Sequence, residues 1–267
     1  MSTLLRSRSR RGFTLVELLV VVAIVMLLLA ILLISVGGLL DSARGIQCMA
    51  NQRQIGVALN VYCTDHNGRC FDHRNWGRWL DPEDYSDPID PDHPEAYWGV
   101  MYATYADGGS ELFHCPQSVR IDPDRADPVT LMSRPSNCYG LNGYGIWFSD
   151  SFQQFHFGRP GRIAIFEQVG GQWRGRSIFQ MRYPTTTLFA HDAYESVLDG
   201  NGDTLDDWYQ YDNYGADDRT GEEIRDQEYL RHGGACNCIW FDGHVSKQHK
   251  DKFRAEWYLG QRCPDVD

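Results

Sequence analysis

The sequence predicts an α+β protein in which a long N-terminal α-helix packs on a C-terminal antiparallel β-sheet domain with long loops. Three features predict this fold class: an uncharged apolar stretch near the N-terminus, a helical spacing of apolar residues after it, and short β-prone runs in the second half. With 267 residues, 42% of them hydrophobic, the chain can bury a substantial core. We predict a leader over residues 1–12, a membrane helix over 13–40, a helical stem over 41–62 and a globular head over 63–267.

The membrane helix is predicted from residues 18–40, which contain no charged side chain. A helix of this length crosses the ~30 Å hydrocarbon core of a bilayer. Four arginines and no acidic residue precede it in residues 1–12. The positive-inside rule therefore places the N-terminus in the cytoplasm and everything after Asp41 on the far side. The alternative is a secretory signal peptide, but the apolar region of such a peptide is only ~7–15 residues long.

The charge of the chain limits its partners. A formal net charge of -11 argues against nucleic acid, because phosphate binding needs a basic surface. An acidic surface instead repels anionic partners and favours cations.

Glu17 lies at the start of the apolar stretch, where a carboxylate costs ~2.5–3.5 kcal/mol on insertion scales and needs a partner. Cleavage between Gly12 and Phe13 would supply one, because the new α-amine of Phe13 lies about one helical turn from Glu17. The run RRGFTLVELLVVVAIV resembles the type III signal of type IV prepilins and type II secretion pseudopilins. The resemblance implies a pilin-like fold, cleavage after Gly12 and N-methylation of Phe13 by a prepilin peptidase. It also implies that Glu17 sets the register between assembled subunits.

This resemblance implies a structural, non-enzymatic subunit of a type II secretion pseudopilus or a type IV pilus-like fibre. Its partners would be other pilin or pseudopilin subunits, in a homo- or hetero-oligomer, and the secretion or pilus assembly machinery. The protein would be a single-pass protein of the inner (cytoplasmic) membrane, with its head in the periplasm or outside the cell. The alternative function is a membrane-anchored extracytoplasmic binding module for a glycan, a cation or a secreted substrate, which an exposed row of aromatic residues would favour.

The stem is predicted from apolar residues that recur at helical spacings, while residues 51–54 are polar. These apolar residues are Cys48, Ile55, Leu59 and Tyr62. We expect this stripe to pack on the head. We also expect Gly37 and Gly38 to kink or locally melt the helix, since each glycine costs ~1 kcal/mol relative to alanine.

The head should begin with an exposed acidic loop, because residues 81–95 carry four prolines among acidic residues. Runs rich in β-branched and aromatic residues then predict strands at 162–169, 185–190 and 237–242.

Motifs in the head resemble those of prepilin-type proteins named for an H-X9-DG motif, which are abundant in planctomycetes and their relatives. The motifs are FHCP at 113–116, SNCYGLN at 136–142, and His232 followed after nine residues by Asp242 and Gly243. The resemblance implies a pilin-like architecture and assigns no chemistry to the motif. From the residues themselves, Asp242-Gly243 between apolar neighbours predicts a hairpin turn with glycine at positive φ.

His232 and Asp242 allow three interpretations. In the simplest, they fix a loop by hydrogen bonds. In the second, they form a ligand or metal site with His244 and either His191 or Asp192. In the third, they are an acid–base pair of an enzyme, but no Gly-x-Ser-x-Gly, phosphate-binding glycine loop or His-Glu-x-x-His motif accompanies them.

Calcium is the cofactor that the sequence suggests. Oxygen-bearing side chains alternate in LDGNGDTLDD as in the first part of a calcium loop. The candidate ligands are Asp199, Asn201, Asp203 and Asp207. An EF-hand is excluded, because Thr204 and Gln210 stand where it requires glycine and glutamate; a solvated acidic turn is the alternative.

All eight cysteines follow the membrane segment, where an oxidising compartment would permit disulfides. We expect two local disulfides, Cys63–Cys70 and Cys115–Cys138. Cys236 and Cys238 would lie on one face of a strand, where they could bind a metal together with a nearby histidine.

Overall fold

The computed structural model describes residues 13–72, 78–84, 87–118, 138–146, 148–193, 197–198 and 229–262. The chain divides into two compact units, Met1–Ala43 and Arg44–Asp267.

Helix α1 runs from Leu15 to Asp65. Its first part, Leu15–Leu32, is apolar and long enough to cross a membrane, and none of this segment is buried. The helix continues through Gly37 and Gly38, so the expected local melting is wrong. The physical reason is cooperativity: a long helix keeps its hydrogen-bond ladder across a cost of ~1 kcal/mol per glycine. Ser42 Oγ also donates to the Gly38 carbonyl at 2.9 Å.

The second part of α1 belongs to the head. All four residues of the predicted stripe are buried, which confirms that this face packs on the head. The helix ends where Asn67 and Gly68 take positive φ values, and the Gly68 N–H donates to the Cys63 carbonyl at 2.6 Å.

The described residues of the head form seven strands. They are β1 Tyr139–Asn142, β2 Phe166–Val169, β3 Gln172–Gly175, β4 Leu188–Asp192, β5 Val197–Leu198, β6 Ala235–Trp240 and β7 Val245–His249. Five of them form one sheet in the order β5-β1-β4-β6-β7, while β2 and β3 form a separate antiparallel pair. All neighbours in the large sheet are antiparallel except β1 and β5. The described residues also form three short α-helices, α2 Gly99–Ala103, α3 Asp150–Phe157 and α4 Ala255–Leu259. Three 3₁₀ turns lie at Gly109–Phe113, Ile178–Gln180 and Lys250–Lys252.

The predicted α+β class with an antiparallel sheet is confirmed. Strands β4 and β6 overlap the runs predicted at 185–190 and 237–242. Of the run at 162–169 only β2 is a strand, because the chain turns before it and the Ile163 N–H donates to the Phe166 carbonyl. Strand β1 was missed because it contains Gly140, which has low β-propensity. A Cβ there would lie 2.6 Å from Leu198 Cδ2, so packing requires the glycine.

The loop predicted at 81–95 is described except for residues 85 and 86. Its described part contains no helix or strand and is mostly exposed, whereas Ile89 is buried.

Strand β6 separates two layers of the core. Cys236, Cys238 and Trp240 pack in one cluster with α4, while Ile239 and Phe241 pack in the other cluster with α1. This alternation is the two-residue period of a strand.

Candidate functional site

The N-terminus of α1 forms a capping box. The Thr14 N–H and the Thr14 hydroxyl both donate to Glu17 Oε2 at 2.8 Å, and the Glu17 N–H donates to Thr14 Oγ1 at 3.2 Å. This reciprocal pattern satisfies donors that the first turn of a helix leaves open. Glu17 is thereby fixed at the end of the exposed apolar segment, one helical turn from Phe13, whereas Gly12 lies outside the described residues.

The head contains a buried cluster of four side chains, which we call the four-residue cluster: Cys48, Cys115, Asp192 and His232. Their ligand-type atoms all lie within 4.8 Å of one another. Four separate parts of the chain supply them. Cys48 comes from α1, Cys115 follows a 3₁₀ turn, Asp192 is the last residue of β4, and His232 lies just before β6.

Asp192 and His232 form the charged pair of the cluster. Asp192 Oδ2 lies 3.1 Å from His232 Nε2, and both side chains are buried. Burial opposes a charge on His232, but the Asp192 carboxylate outweighs burial and raises the His232 pKa to about 9. Burial likewise opposes ionisation of Asp192, and His232 outweighs it, so the Asp192 pKa is lowered. The other imidazole nitrogen, Nδ1, contacts Gln117 Oε1.

Further hydrogen bonds hold the Asp192 carboxylate in place. The Asn237 N–H donates to Oδ2 at 2.7 Å and Gln52 Nε2 donates to Oδ1 at 3.1 Å. The Arg231 guanidinium, which donates to the carbonyls of Cys138 and Ala193 at 3.3 Å, adds a positive charge that also helps to lower the pKa of Asp192.

The two thiols of the cluster have different surroundings. Cys48 Sγ lies 3.3 Å from Tyr139 Oη and 3.8 Å from Asp192 Oδ1, and burial raises its pKa. Cys115 Sγ lies 3.7 Å from His232 Nε2. Hydrogen bonds from Cys48 and from His232 lower the Cys115 pKa. Thiols, imidazole and carboxylate are the ligand types of tetrahedral zinc sites, so these four residues could hold a metal.

The Asp242–Gly243 turn lies at the other end of β6. It joins β6 to β7, and Gly243 has φ 86°, which confirms the predicted hairpin turn. Asp242 Oδ1 accepts a hydrogen bond from the His244 N–H at 3.1 Å and lies 2.6 Å from His244 Nδ1.

The comparisons with known proteins concern the N-terminus. Residues 7–33 match the family model of the prokaryotic N-terminal methylation motif. No curated protein and no solved structure matches the chain. The prepilin-type motif supports a place among the pilin-like proteins and points to a structural subunit that a prepilin peptidase processes and that assembles with other pilin subunits. Together with the apolar helix, it fits a single-pass, membrane-anchored pilin.

Within the head, His232 and the Asp242–Gly243 pair, which follows it after nine residues, do not meet. His232 precedes β6 and Asp242 follows it, so the strand lies between them. Of the residues considered beside His232, only Asp192 joins it. His244 contacts Asp242, and His191 Nε2 lies 2.9 Å from Tyr258 Oη.

The two disulfides expected from the sequence, Cys63–Cys70 and Cys115–Cys138, are not formed in the structure. In the structure Cys63, Cys70 and Cys115 are free thiols, so neither expected bond is formed there, and both pairings remain predictions for the oxidised protein. Cys138 Sγ lies 3.9 Å from His114 Nδ1. Cys236 and Cys238 do share one face of β6, but that face packs in the core with α4 and is not part of the four-residue cluster.

The candidate calcium ligands Asp199, Asn201, Asp203 and Asp207 lie outside the described residues. Calcium binding therefore stays a prediction.

The four-residue cluster itself was not predicted from the sequence as a set. Cys48 was assigned to the apolar stripe and Cys115 to a disulfide, because each fits a local pattern. One signal pointed toward it: Asp192 is the last residue of β4, two positions after the apolar run 188–190, and a carboxylate at the end of a buried strand needs a partner.

Proposed function

We propose that this protein is a pilin-like (pseudopilin) structural subunit that is cleaved between Gly12 and Phe13 and N-methylated on Phe13. It then assembles through α1 into a type II secretion pseudopilus or a type IV pilus-like fibre. The observation that carries the proposal is the apolar segment Leu15–Leu32, which is exposed along its length and has Glu17 in its first turn. Such a surface needs lipid or other apolar helices around it.

Glu17 supplies the polar contact for assembly. Its carboxylate already accepts two hydrogen bonds from Thr14 at the helix end. Cleavage frees the α-amine of Phe13, the residue before Thr14. In an apolar fibre interior the positive charge of this amine stabilises the Glu17 carboxylate of the same or a neighbouring subunit.

Orientation follows from the arginines of residues 1–12, which stay in the cytoplasm. The protein would thus be a single-pass protein of the inner membrane, with its head in the periplasm or outside the cell. There the head would contact other pilin or pseudopilin subunits and the assembly machinery.

Aromatic burial favours a plain subunit over a binding module. Of the tryptophans that the structure describes, Trp79, Trp98, Trp240 and Trp257 are buried. Phe155 and Phe179 are the strongly exposed aromatic residues of the described head, and two phenylalanines do not make a carbohydrate-stacking row.

The proposal is tested by expressing the full chain in bacteria with and without a prepilin peptidase and determining its N-terminus by mass spectrometry. We expect an N-methylated Phe13 only when the peptidase is present, and Gly12→Leu should abolish it. An intact Met1 in both samples, or a cut beyond the membrane segment, would contradict the proposal.

Assembly is tested separately with Glu17→Gln. This variant should still be cleaved and methylated, but in-membrane crosslinking between subunits should drop. Glu83→Gln, at an exposed carboxylate of the head, is the matched control and should crosslink like the wild type.

A further inference from the structure

We propose that the four-residue cluster is a structural metal site of the zinc type, with Cys48, Cys115, Asp192 and His232 as its four ligands. Four protein ligands complete a tetrahedral shell and leave no open position, which distinguishes a structural zinc site from a catalytic one. The site lies in the head and is independent of the proposed assembly through α1's apolar segment.

Three distances between ligand-type atoms are close to the edges of a zinc tetrahedron. Zinc bonds of ~2.0–2.3 Å to nitrogen, oxygen and sulfur give tetrahedral edges of roughly 3.3–3.8 Å. Cys115 Sγ is 3.7 Å from His232 Nε2, and Cys48 Sγ is 3.8 Å from Asp192 Oδ1. His232 Nε2 lies 3.1 Å from the other carboxylate oxygen, Asp192 Oδ2, which is slightly shorter than a tetrahedral edge. All four ligand-type atoms lie within 4.8 Å of one another, so metal binding needs the widest separations to contract by up to about 1 Å.

A second layer of contacts orients the ligands as in known metal sites. His232 turns Nε2 toward the cluster, while Nδ1 contacts the side-chain oxygen of Gln117. Such a contact fixes the tautomer and the ring orientation of a metal-binding histidine. Asn237 and Gln52 hold the two oxygens of Asp192.

The sulfur of Cys48 also has polar neighbours suited to a thiolate. Tyr139 Oη lies 3.3 Å away and Asn237 Nδ2 lies 3.7 Å away. Hydrogen bonds to a coordinated sulfur are a usual part of the outer shell.

Burial explains why a cation stabilises this arrangement. All four residues are buried, and polar groups in a core are costly unless they are fully paired. Beside the cluster, Gln52 Oε1 and Asn237 Oδ1 are buried without a hydrogen-bond partner among the described residues. A divalent cation neutralises two of the three negative charges of two thiolates and a carboxylate, and the Arg231 guanidinium, which helps to lower the pKa of Asp192, offsets the third. Metal binding releases to solvent the protons that the thiols and His232 Nε2 carry in the metal-free protein.

The metal would act as a clamp between distant parts of the head. Its ligands come from α1, the loop after residue 113, β4 and the segment before β6. The Cys48–Asp192 contact alone spans a sequence separation of 144. The site thus ties the buried part of α1 to the central strands of the sheet.

The test uses the full chain purified in detergent with a non-thiol reductant, stripped with a chelator and reloaded with Zn²⁺ or Co²⁺. We expect about one metal per chain by mass spectrometry, and a cobalt spectrum with the thiolate charge-transfer bands of a tetrahedral site. Cys48→Ser and Cys115→Ser should each weaken metal binding by about 100-fold or more, because each removes a ligand and the loss of an outer-shell partner alone costs about 10- to 100-fold. Cys63→Ser, which removes another buried thiol of α1, is the matched control and should bind like the wild type.

Gln117→Ala tests the orientation of His232 without removing a ligand. It should weaken metal binding by about 10- to 100-fold, with the cobalt spectrum retained. If a variant fails to fold, the cobalt spectrum of the wild type still tests the site, because it requires no substitution.

Three results would each overturn the proposal. One is a reduced wild-type chain that holds no metal at micromolar Zn²⁺. Another is Cys48→Ser binding as tightly as wild type. The third is a disulfide at either cysteine, Cys48–Cys115 or the Cys115–Cys138 bond expected from the sequence, whose reduction gives no metal-binding protein; a metal-bound Cys115 and a Cys115–Cys138 disulfide exclude each other. Prepilin processing is measured at Phe13, so failure of the metal site and failure of the proposed function are separate results.

Discussion

The two ends of β6 hold the sheet against α1 in different ways. Before β6, His232 and Asp192 place a buried charged pair against Cys48 and Gln52 of the helix. After β6, the Asp242–Gly243 turn approaches the helix through its backbone. A Cβ on Gly56 of α1 would lie 2.1 Å from the Gly243 carbonyl oxygen.

One stripe of α1 serves both ends. Cys48, Gln52, Gly56 and Asn60 follow one another at four-residue spacing and therefore lie on one face of the helix. The first two contact Asp192, and the last two contact the Asp242–Gly243 turn. The contact of α1 with the sheet therefore depends on charge before β6 and on close packing after it. Substitutions at the two ends should lower the free energy of unfolding by different amounts.

The largest effect is expected at the charged end. His232→Ala leaves the Asp192 carboxylate buried without its imidazole, and breaking a buried ion pair in this way costs about 3–5 kcal/mol. Urea unfolding of the detergent-solubilised full chain with chelator present, followed by tryptophan fluorescence, measures the loss. His244→Ala is the exposed control. Equal effects of the two substitutions would remove the distinction between the ends of β6.

The packing end should come next. Gly56→Ala places a methyl group against the backbone of the turn, and overpacking of this kind costs roughly 1–3 kcal/mol. Gly38→Ala is the matched control, because it lies in the same helix and a Cβ there meets no atom within 4 Å. The same unfolding measurement should show a loss for Gly56→Ala only. A neutral Gly56→Ala would mean that the turn does not depend on this close approach.

The two ends of β6 also differ in how far they could be predicted from the sequence. The hairpin at Asp242 and Gly243 was predictable, because turn chemistry depends on adjacent residues. The buried apolar face of α1 was predictable from its helical period. Gln52, in contrast, stands in a polar run and is fully buried, because a carboxylate distant in sequence requires its amide.

The four-residue cluster depends on long-range folding in the same way. Its residues come from separate elements, and the Cys115–His232 contact spans a sequence separation of 117. No local period records such a contact. The short strand β1 was missed for a related reason, since Gly140 is there for packing against Leu198 and not for its β-propensity.

A smaller effect tests the hydrogen bonds of the packing end. Asn60 Nδ2 donates to the Asp242 carbonyl at 2.9 Å and to the Gly56 carbonyl at 3.1 Å. Asn60→Ala should therefore lower the free energy of unfolding by about 1 kcal/mol. Thr64→Ala removes only an exposed hydrogen bond to the Asn60 carbonyl, so it should change stability by less than ~0.5 kcal/mol. If the two variants were equally stable, the contact of Asn60 with the turn would contribute nothing beyond local helix structure.

The smallest effect is expected for the ion pair of the turn itself. Asp242 Oδ1 lies 2.6 Å from His244 Nδ1, but the two side chains are 27% and 47% exposed, respectively. Exposed pairs of this kind contribute ~0–1 kcal/mol and are screened by salt. A double-mutant cycle of Asp242→Asn and His244→Ala, measured at low and high salt, should give a coupling free energy within this range that shrinks with salt. A coupling as large as the loss in His232→Ala would instead place the main electrostatic contribution at the exposed end of β6. The assignment of the electrostatic contribution to the buried end of β6 would then be wrong.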